Sequence, residues 1–154
     1  MTTESQNHSK WMRIAIEQAW RCPVAEGAYS VGAVIVDPFG QEIARGYSRD
    51  TAGTVHAEES ALAKVSVTDR ARLCDATIYS TLEPCSKRAS RSLSCTHLIL
   101  AARIPRAVIA WREPSLFVAD CQGIELLEEA GVQVVELAAM AAEAKAMNTH
   151  LAID

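Results

Sequence analysis

The sequence predicts an α/β domain with one mixed five-stranded sheet and helices on both faces. Short apolar runs rich in β-branched residues recur at 31–36, 76–81, 107–111 and 132–137. Between them, segments such as 10–21 and 123–130 carry apolar residues at helical spacing. The first strand is followed by turn residues and a second strand, with no helix between. Strands alternating with helices after an opening hairpin imply a single sheet covered on its faces.

The bulk composition agrees. A chain of 154 residues, 49% hydrophobic, has the material for one domain with a full core. Aromatics are only 5%, so that core is aliphatic and rich in Ala. The net charge of −4 is a poor match to a nucleic-acid partner, for which a basic footprint is expected. No run of 18 apolar residues suggests a membrane span. The first ten residues are polar and lack the apolar segment of a secretory signal, so a cytoplasmic chain is expected. Five cysteines, an odd number, fit reduced thiols and a metal site better than a disulfide framework.

Residues 1–8 are polar and aperiodic and are expected to be disordered, leaving 9–154 as one domain. Ser9 is placed to cap a helix over about 10–21, in which Trp11, Met12, Ala15, Ile16, Ala19 and Trp20 recur at helical spacing; both tryptophans read as packing residues. Cys22-Pro23 ends it. Val31–Val36 reads as a buried strand, Asp37-Pro38-Phe39-Gly40 as a turn, and 41–46 as the second strand. A helix follows from His56. Asp69–Asp75 is a charged connector, 76–81 a strand, 95–102 a short helix and 107–111 a strand. A helix over 123–130 ends at Gly131. Val132–Leu137 is the last strand and Ala138–Leu151 the last helix.

The chemistry lies in His56-Ala57-Glu58, in Glu83-Pro84-Cys85, and in Cys95. Imidazole and thiolate are zinc ligands, and three of them leave a fourth position for water. Zinc lowers the pKa of bound water from about 15.7 toward about 7. The resulting hydroxide can attack a ring carbon bearing an amino group. Glu58, two residues beyond the His, can lie beside the metal without binding it and carry protons to the ring nitrogen and the leaving ammonia. This order is that of the zinc deaminases, H-x-E followed by P-C and a second Cys. Here nine residues separate the cysteines rather than two. Cys22, Cys74 and Cys121 read as ordinary buried or half-buried thiols. His8 and His150 read as bystanders and His97 as a packing residue.

These residues resemble the cytidine deaminase-like superfamily. They are most similar to the deaminase domain of the bifunctional deaminase/reductase of riboflavin biosynthesis, the diaminohydroxyphosphoribosylaminopyrimidine deaminases. The similar pieces are Val31–Val36, His56-Ala57-Glu58, Ala76–Ser86, Cys95-Thr96, Leu127–Val132 and Met147-Asn148. The resemblance implies a three-layer α-β-α fold, Zn²⁺ on His56, Cys85 and Cys95, proton shuttling by Glu58 and a homodimer; as a departure from that family, a deaminase without the reductase domain is expected. It also implies a small-molecule aminopyrimidine substrate. On the substrate side, Arg91 and Ser92 stand where the family has Arg-Thr in the loop, which makes them candidates for substrate or phosphate contact. Ala28 replaces the family's pocket Asn, and Ser48 matches a His.

Because these departures fall on the pocket, two further readings stay open. One is deamination of another amino-heterocycle: a free base, a nucleoside or a specialised-metabolite intermediate. The other is a catalytically silent zinc-binding partner subunit. Retention of Glu58 speaks against the latter, because a structural zinc needs no such carboxylate. A nucleic-acid editor is disfavoured by charge and by cysteine spacing.

Overall fold

The computed structural model of the protein describes residues 4–86, 93–114 and 121–151. The elements run α1 (Glu4–Trp20), β1 (Gly32–Val36), β2 (Glu42–Tyr47), α2 (Ala57–Ala63), β3 (Thr77–Leu82), α3 (Cys95–Ala101), β4 (Arg106–Trp111), α4 (Gly123–Glu129), β5 (Gln133–Glu136) and α5 (Ala141–Lys145). The sheet order is β2-β1-β3-β4-β5. β1 is antiparallel to both β2 and β3, whereas β3, β4 and β5 are mutually parallel. The expected mixed five-stranded sheet is therefore present. Parallel neighbours need crossovers, and α3 and α4 supply them.

Two glycines show how close the layers lie. A Cβ on Gly32 would fall 1.8 Å from the Ala15 carbonyl oxygen of α1, and one on Gly46 would fall 2.5 Å from the Ala61 nitrogen of α2. Gly46 pairs with Ala33, so these neighbouring sites open onto opposite faces. α1 and α5 cover one face; α2, α3 and α4 form the other layer. The core between them is aliphatic, with Met12, Ile35, Ile78, Ile99, Val108, Ile109 and Leu127 almost fully buried. Among the described residues, no helix is long and apolar enough to cross a membrane.

Several expectations about the chain are corrected. α1 begins at Glu4, so residues 4–8 are helical rather than disordered. His8 is no bystander: its Nδ1 lies 2.8 Å from the Tyr79 hydroxyl on β3, a contact spanning 71 positions that anchors the extra turns. Ser9 accordingly lies inside the helix. Trp20 is 59% exposed, one position past the buried stripe that ends at Ala19. The connector after α2 is wound into 3-10 turns over Val67–Asp75, with the Ser66 hydroxyl accepting from Asp69 N and Arg72 paired to both Asp37 and Asp69. The C-terminal helix is broken into 3-10 turns, α5, and 3-10 turns over Ala146–Asn148. The last of these carries Asn148, fully buried, into bonds with both the N–H and the C=O of Ser30.

Candidate active site

The site forms where the carboxyl ends of β3 and β4 meet the amino ends of α2 and α3. His56 caps α2, and its own N–H donates to Glu59 Oε1 at 3.3 Å. Two acidic residues in that first turn, Glu58 and Glu59, suit the positive end of the helix. Cys95 opens α3 behind Ser94, whose hydroxyl accepts from His97 N. Cys85 lies three residues past β3.

The three ligating side chains converge. His56 Nδ1 stands 3.6 Å from Cys85 Sγ and 3.4 Å from Cys95 Sγ, and all three ligand atoms lie within 4.8 Å of one another. A tetrahedral zinc with bonds of about 2.3 Å to sulfur and about 2.0 Å to nitrogen holds such atoms about 3.5–3.8 Å apart. The donor set and its spacing therefore fit Zn²⁺, held by His56, Cys85 and Cys95. Both cysteines are buried and His56 is half-buried. Their mutual contact drives the two thiols in opposite directions. Hydrogen bonding from Cys95, helped by His56 and opposed by burial, holds Cys85 well below the usual thiol range. The same contact with Cys85, then burial and the Glu58 carboxylate, pushes Cys95 up. Cys85 is thus poised as the thiolate that a metal requires.

Glu58 is 4% exposed and supplies no atom to the ligand set. Its Oε1 accepts from the Ser80 hydroxyl at 2.7 Å, and the carboxylate also reaches the Cys95 thiol. A buried carboxylate beside the ligand set, yet outside it, is suited to moving protons at the site.

The loops behind the ligands are held by groups that sequence reasoning passed over. Glu83 is 3% exposed; its Oε1 accepts from Glu113 N and its Oε2 from Ile124 N, both at 3.0 Å. One carboxylate thereby ties the Cys85 segment to the strands and helix beyond it. Thr96 binds back to the same segment, its N–H to Cys85 O at 3.1 Å and its hydroxyl to Pro84 O at 3.3 Å. Glu83→Ala would orphan two buried amides at about 1–3 kcal/mol each. The expected loss is about 2–6 kcal/mol in urea unfolding, with Glu83→Gln, which keeps one acceptor, losing about half as much.

The substrate-side candidates divide. Ala28 is half-buried in the loop before β1. Ser48 is buried, and its hydroxyl meets both Val31 N at 3.0 Å and Val31 O at 3.3 Å, so it holds the mouth of the β1–β2 hairpin. Arg91 and Ser92 lie outside the described residues. The other cysteines also divide: Cys22 is buried and Cys121 half-buried as expected, whereas Cys74 is exposed. His97 is exposed rather than packed, with Nδ1 2.6 Å from the Ser94 hydroxyl. His150 meets the Ala25 carbonyl through Nε2 at 2.8 Å.

Aromatic side chains pack where β4 ends. Tyr29 and Trp111 meet edge to face at 5.6 Å. Two residues past Trp111, burial pushes the Glu113 carboxyl up to about 7, with the negative charges of Cys85, Glu83 and Glu58 adding to the effect. Arg49 fixes Tyr29 from behind, donating to the Tyr29 and Pro23 carbonyls.

Comparison with known proteins agrees with this geometry. Residues 5–111 match the family described as the cytidine and deoxycytidylate deaminase zinc-binding region. The chain is 42% identical over 131 residues to the diaminohydroxyphosphoribosylamino-pyrimidine deaminase of Schizosaccharomyces pombe, covering 84% of this chain and 32% of that protein. It thus spans about a third of the length of the curated relatives it matches. Among solved structures, RibD of Acinetobacter baumannii superposes with a TM-score of 0.79 at 31% identity, over 95% of this chain and 39% of the other. The Rib2 deaminase of Aspergillus oryzae, a C-terminal deletion mutant, gives 0.72 at 25% identity, over 92% and 98%.

Proposed function

The chain belongs to the cytidine and deoxycytidylate deaminase zinc-binding family, whose members are zinc-dependent hydrolases, and from that premise we propose that it is a hydrolytic deaminase of a phosphoribosylated diaminopyrimidine. The observation that carries the reading is Glu58, a buried carboxylate outside the ligand set yet against it. Bound zinc supplies an activated water. With the metal held there, Glu58 would move both protons of the attacking water in turn, one to the ring nitrogen and the second to the departing amine, so that the amino group leaves as ammonia and the ring carbon becomes a carbonyl. His56, Cys85 and Cys95 hold the metal.

The named relatives support the substrate class: one is a diaminohydroxyphosphoribosylamino-pyrimidine deaminase, and another is a Rib2 deaminase. Ammonia release across a panel of aminopyrimidines, pteridines, purines and nucleosides tests the reading. Turnover of the phosphoribosylamino-diaminopyrimidinone well above the rest is expected. A clear preference for another ring would favour the second reading, deamination of a different amino-heterocycle. That alternative is favoured by Ala28 in the pocket loop and by the commitment of Ser48 to Val31.

We further read the chain from α1 onward as one deaminase domain, acting as a cytoplasmic homodimer. Arg91 and Ser92 are proposed to meet the substrate phosphate, with Ala28 lining the ring side. Arg91→Ala should then raise KM for the phosphorylated substrate about tenfold or more while kcat changes less, the pattern of lost uniform binding. Equal use of the dephosphorylated compound by the parent would remove the phosphate contact.

A further inference from the structure

β3 carries two fully buried hydroxyls side by side, Ser80 and Thr81. Ser80 lies mid-strand, 1% exposed, between the fully buried Ala33 of β1 and Ile109 of β4. A buried hydroxyl at such a position costs free energy unless it is hydrogen-bonded. Ser80 Oγ has two acceptors at short range, Glu58 Oε1 at 2.7 Å and Leu82 O at 2.8 Å. A hydroxyl carries a single proton, so these two acceptors compete for it. Ser80 shares its sheet face with Ala33 and therefore with Gly46, whose missing side chain lets α2 settle close to the sheet. That approach brings Glu58, in the first turn of α2, within reach of the strand.

We infer that Ser80 is a positioning residue for Glu58: its hydroxyl, locked between Glu58 Oε1 and Leu82 O, fixes the carboxylate so that the other oxygen faces the His56–Cys85–Cys95 cluster. The inference rests on the deaminase reading for its functional consequence, but its geometry stands alone. Tying one carboxylate oxygen to the rigid centre of a sheet removes rotation about the terminal torsion of Glu58, which is otherwise broad. A proton carrier must hold its oxygen within hydrogen-bond reach of both partners, and misplacement by about 1 Å costs about 100-fold in rate. The same carboxylate interacts with the Cys95 thiol. Glu58 thus meets both a strand hydroxyl and the metal-ligand set.

The test is Ser80→Ala, with Ser80→Thr and Ser80→Val as an isosteric pair that differ in the hydroxyl. All are measured on the zinc-loaded full chain. Ser80→Ala should keep its zinc and lower kcat about 10- to 100-fold with KM within about twofold of the parent. Ser80→Thr should recover most of the rate and Ser80→Val should not. A kcat for Ser80→Ala within threefold of the parent overturns the inference, as does equal loss in the Thr and Val variants, which would mark a volume effect. A crystal structure of Ser80→Ala reads the same point without turnover. A Glu58 carboxylate rotated away from its parent position supports the role of Ser80, and an unmoved one overturns it. A parent that deaminates nothing in the panel overturns the deaminase reading and leaves this structural outcome to decide the inference.

Discussion

Glu58→Gln should retain a full equivalent of zinc and a near-parental melting temperature while losing deaminase activity by two to four orders of magnitude. Each half of that expectation has a structural cause. Glu58 contributes no atom to the His56–Cys85–Cys95 set, so metal binding does not depend on it. Glutamine keeps the shape of the side chain and an oxygen for the Ser80 hydroxyl, so the packing of a residue that is 4% exposed is preserved. What is lost is a group that can accept a proton and return it. General acid–base catalysis contributes about 10²–10⁴-fold, or about 2.7–5.4 kcal/mol of barrier. One carboxylate here serves the water, the ring nitrogen and the leaving amine, which places the loss at the upper end. Zinc content and deamination rate must be read on the same preparation. Full zinc with activity within tenfold of the parent would place proton transfer elsewhere and withdraw the assignment of Glu58.

Residues whose role follows from chemical type were legible in the sequence; those whose role follows from a distant partner were not. The β-branched run 31–36 reads as a strand because such side chains suit a buried pleated surface, and β1 lies within it. His56, Glu58, Cys85 and Cys95 are few, reactive and correctly ordered, so their convergence could be expected without coordinates. Ser80 and Glu83 stand in the same stretch as Cys85, yet nothing in their identity discloses that one meets α2 and the other meets Glu113 and Ile124. The start of α1 depends on His8 finding Tyr79, a pairing no local pattern encodes. The Ala-rich tail reads as one long helix because Ala favours helix everywhere. The fold overrides that preference where Asn148 turns inward to bracket Ser30. Ser48, matched by position to a His of the family, also spends its hydroxyl on the backbone of Val31, a bond no local pattern discloses.

Cys95→Ala, by contrast with Glu58→Gln, should lose the metal, the activity and a large share of the stability together. The substitution itself is small. It removes one sulfur atom from a fully buried site at the start of α3, and deletion of a buried group of methyl size costs about 0.5–1.5 kcal/mol. The larger effect comes through the metal. Loss of one of three protein ligands should weaken zinc binding by more than the 10- to 100-fold that a lost supporting group costs. Ligand binding to the folded state stabilises it by about 4.1 kcal/mol when the free metal is 1,000 times its Kd, and the unfolded chain holds no preformed site. The three ligands join the start of α2, the segment after β3 and the start of α3, so the ion pins elements far apart in sequence. Treating the parent with a chelator separates the two contributions. If zinc carries the effect, chelated parent and Cys95→Ala should melt within the packing difference of each other, and both should melt well below the loaded parent. Readdition of zinc should restore the parent alone. A Cys95→Ala preparation that still holds a full equivalent of zinc, or a parent whose melting a chelator does not move, would show that this cluster is not where the metal is bound.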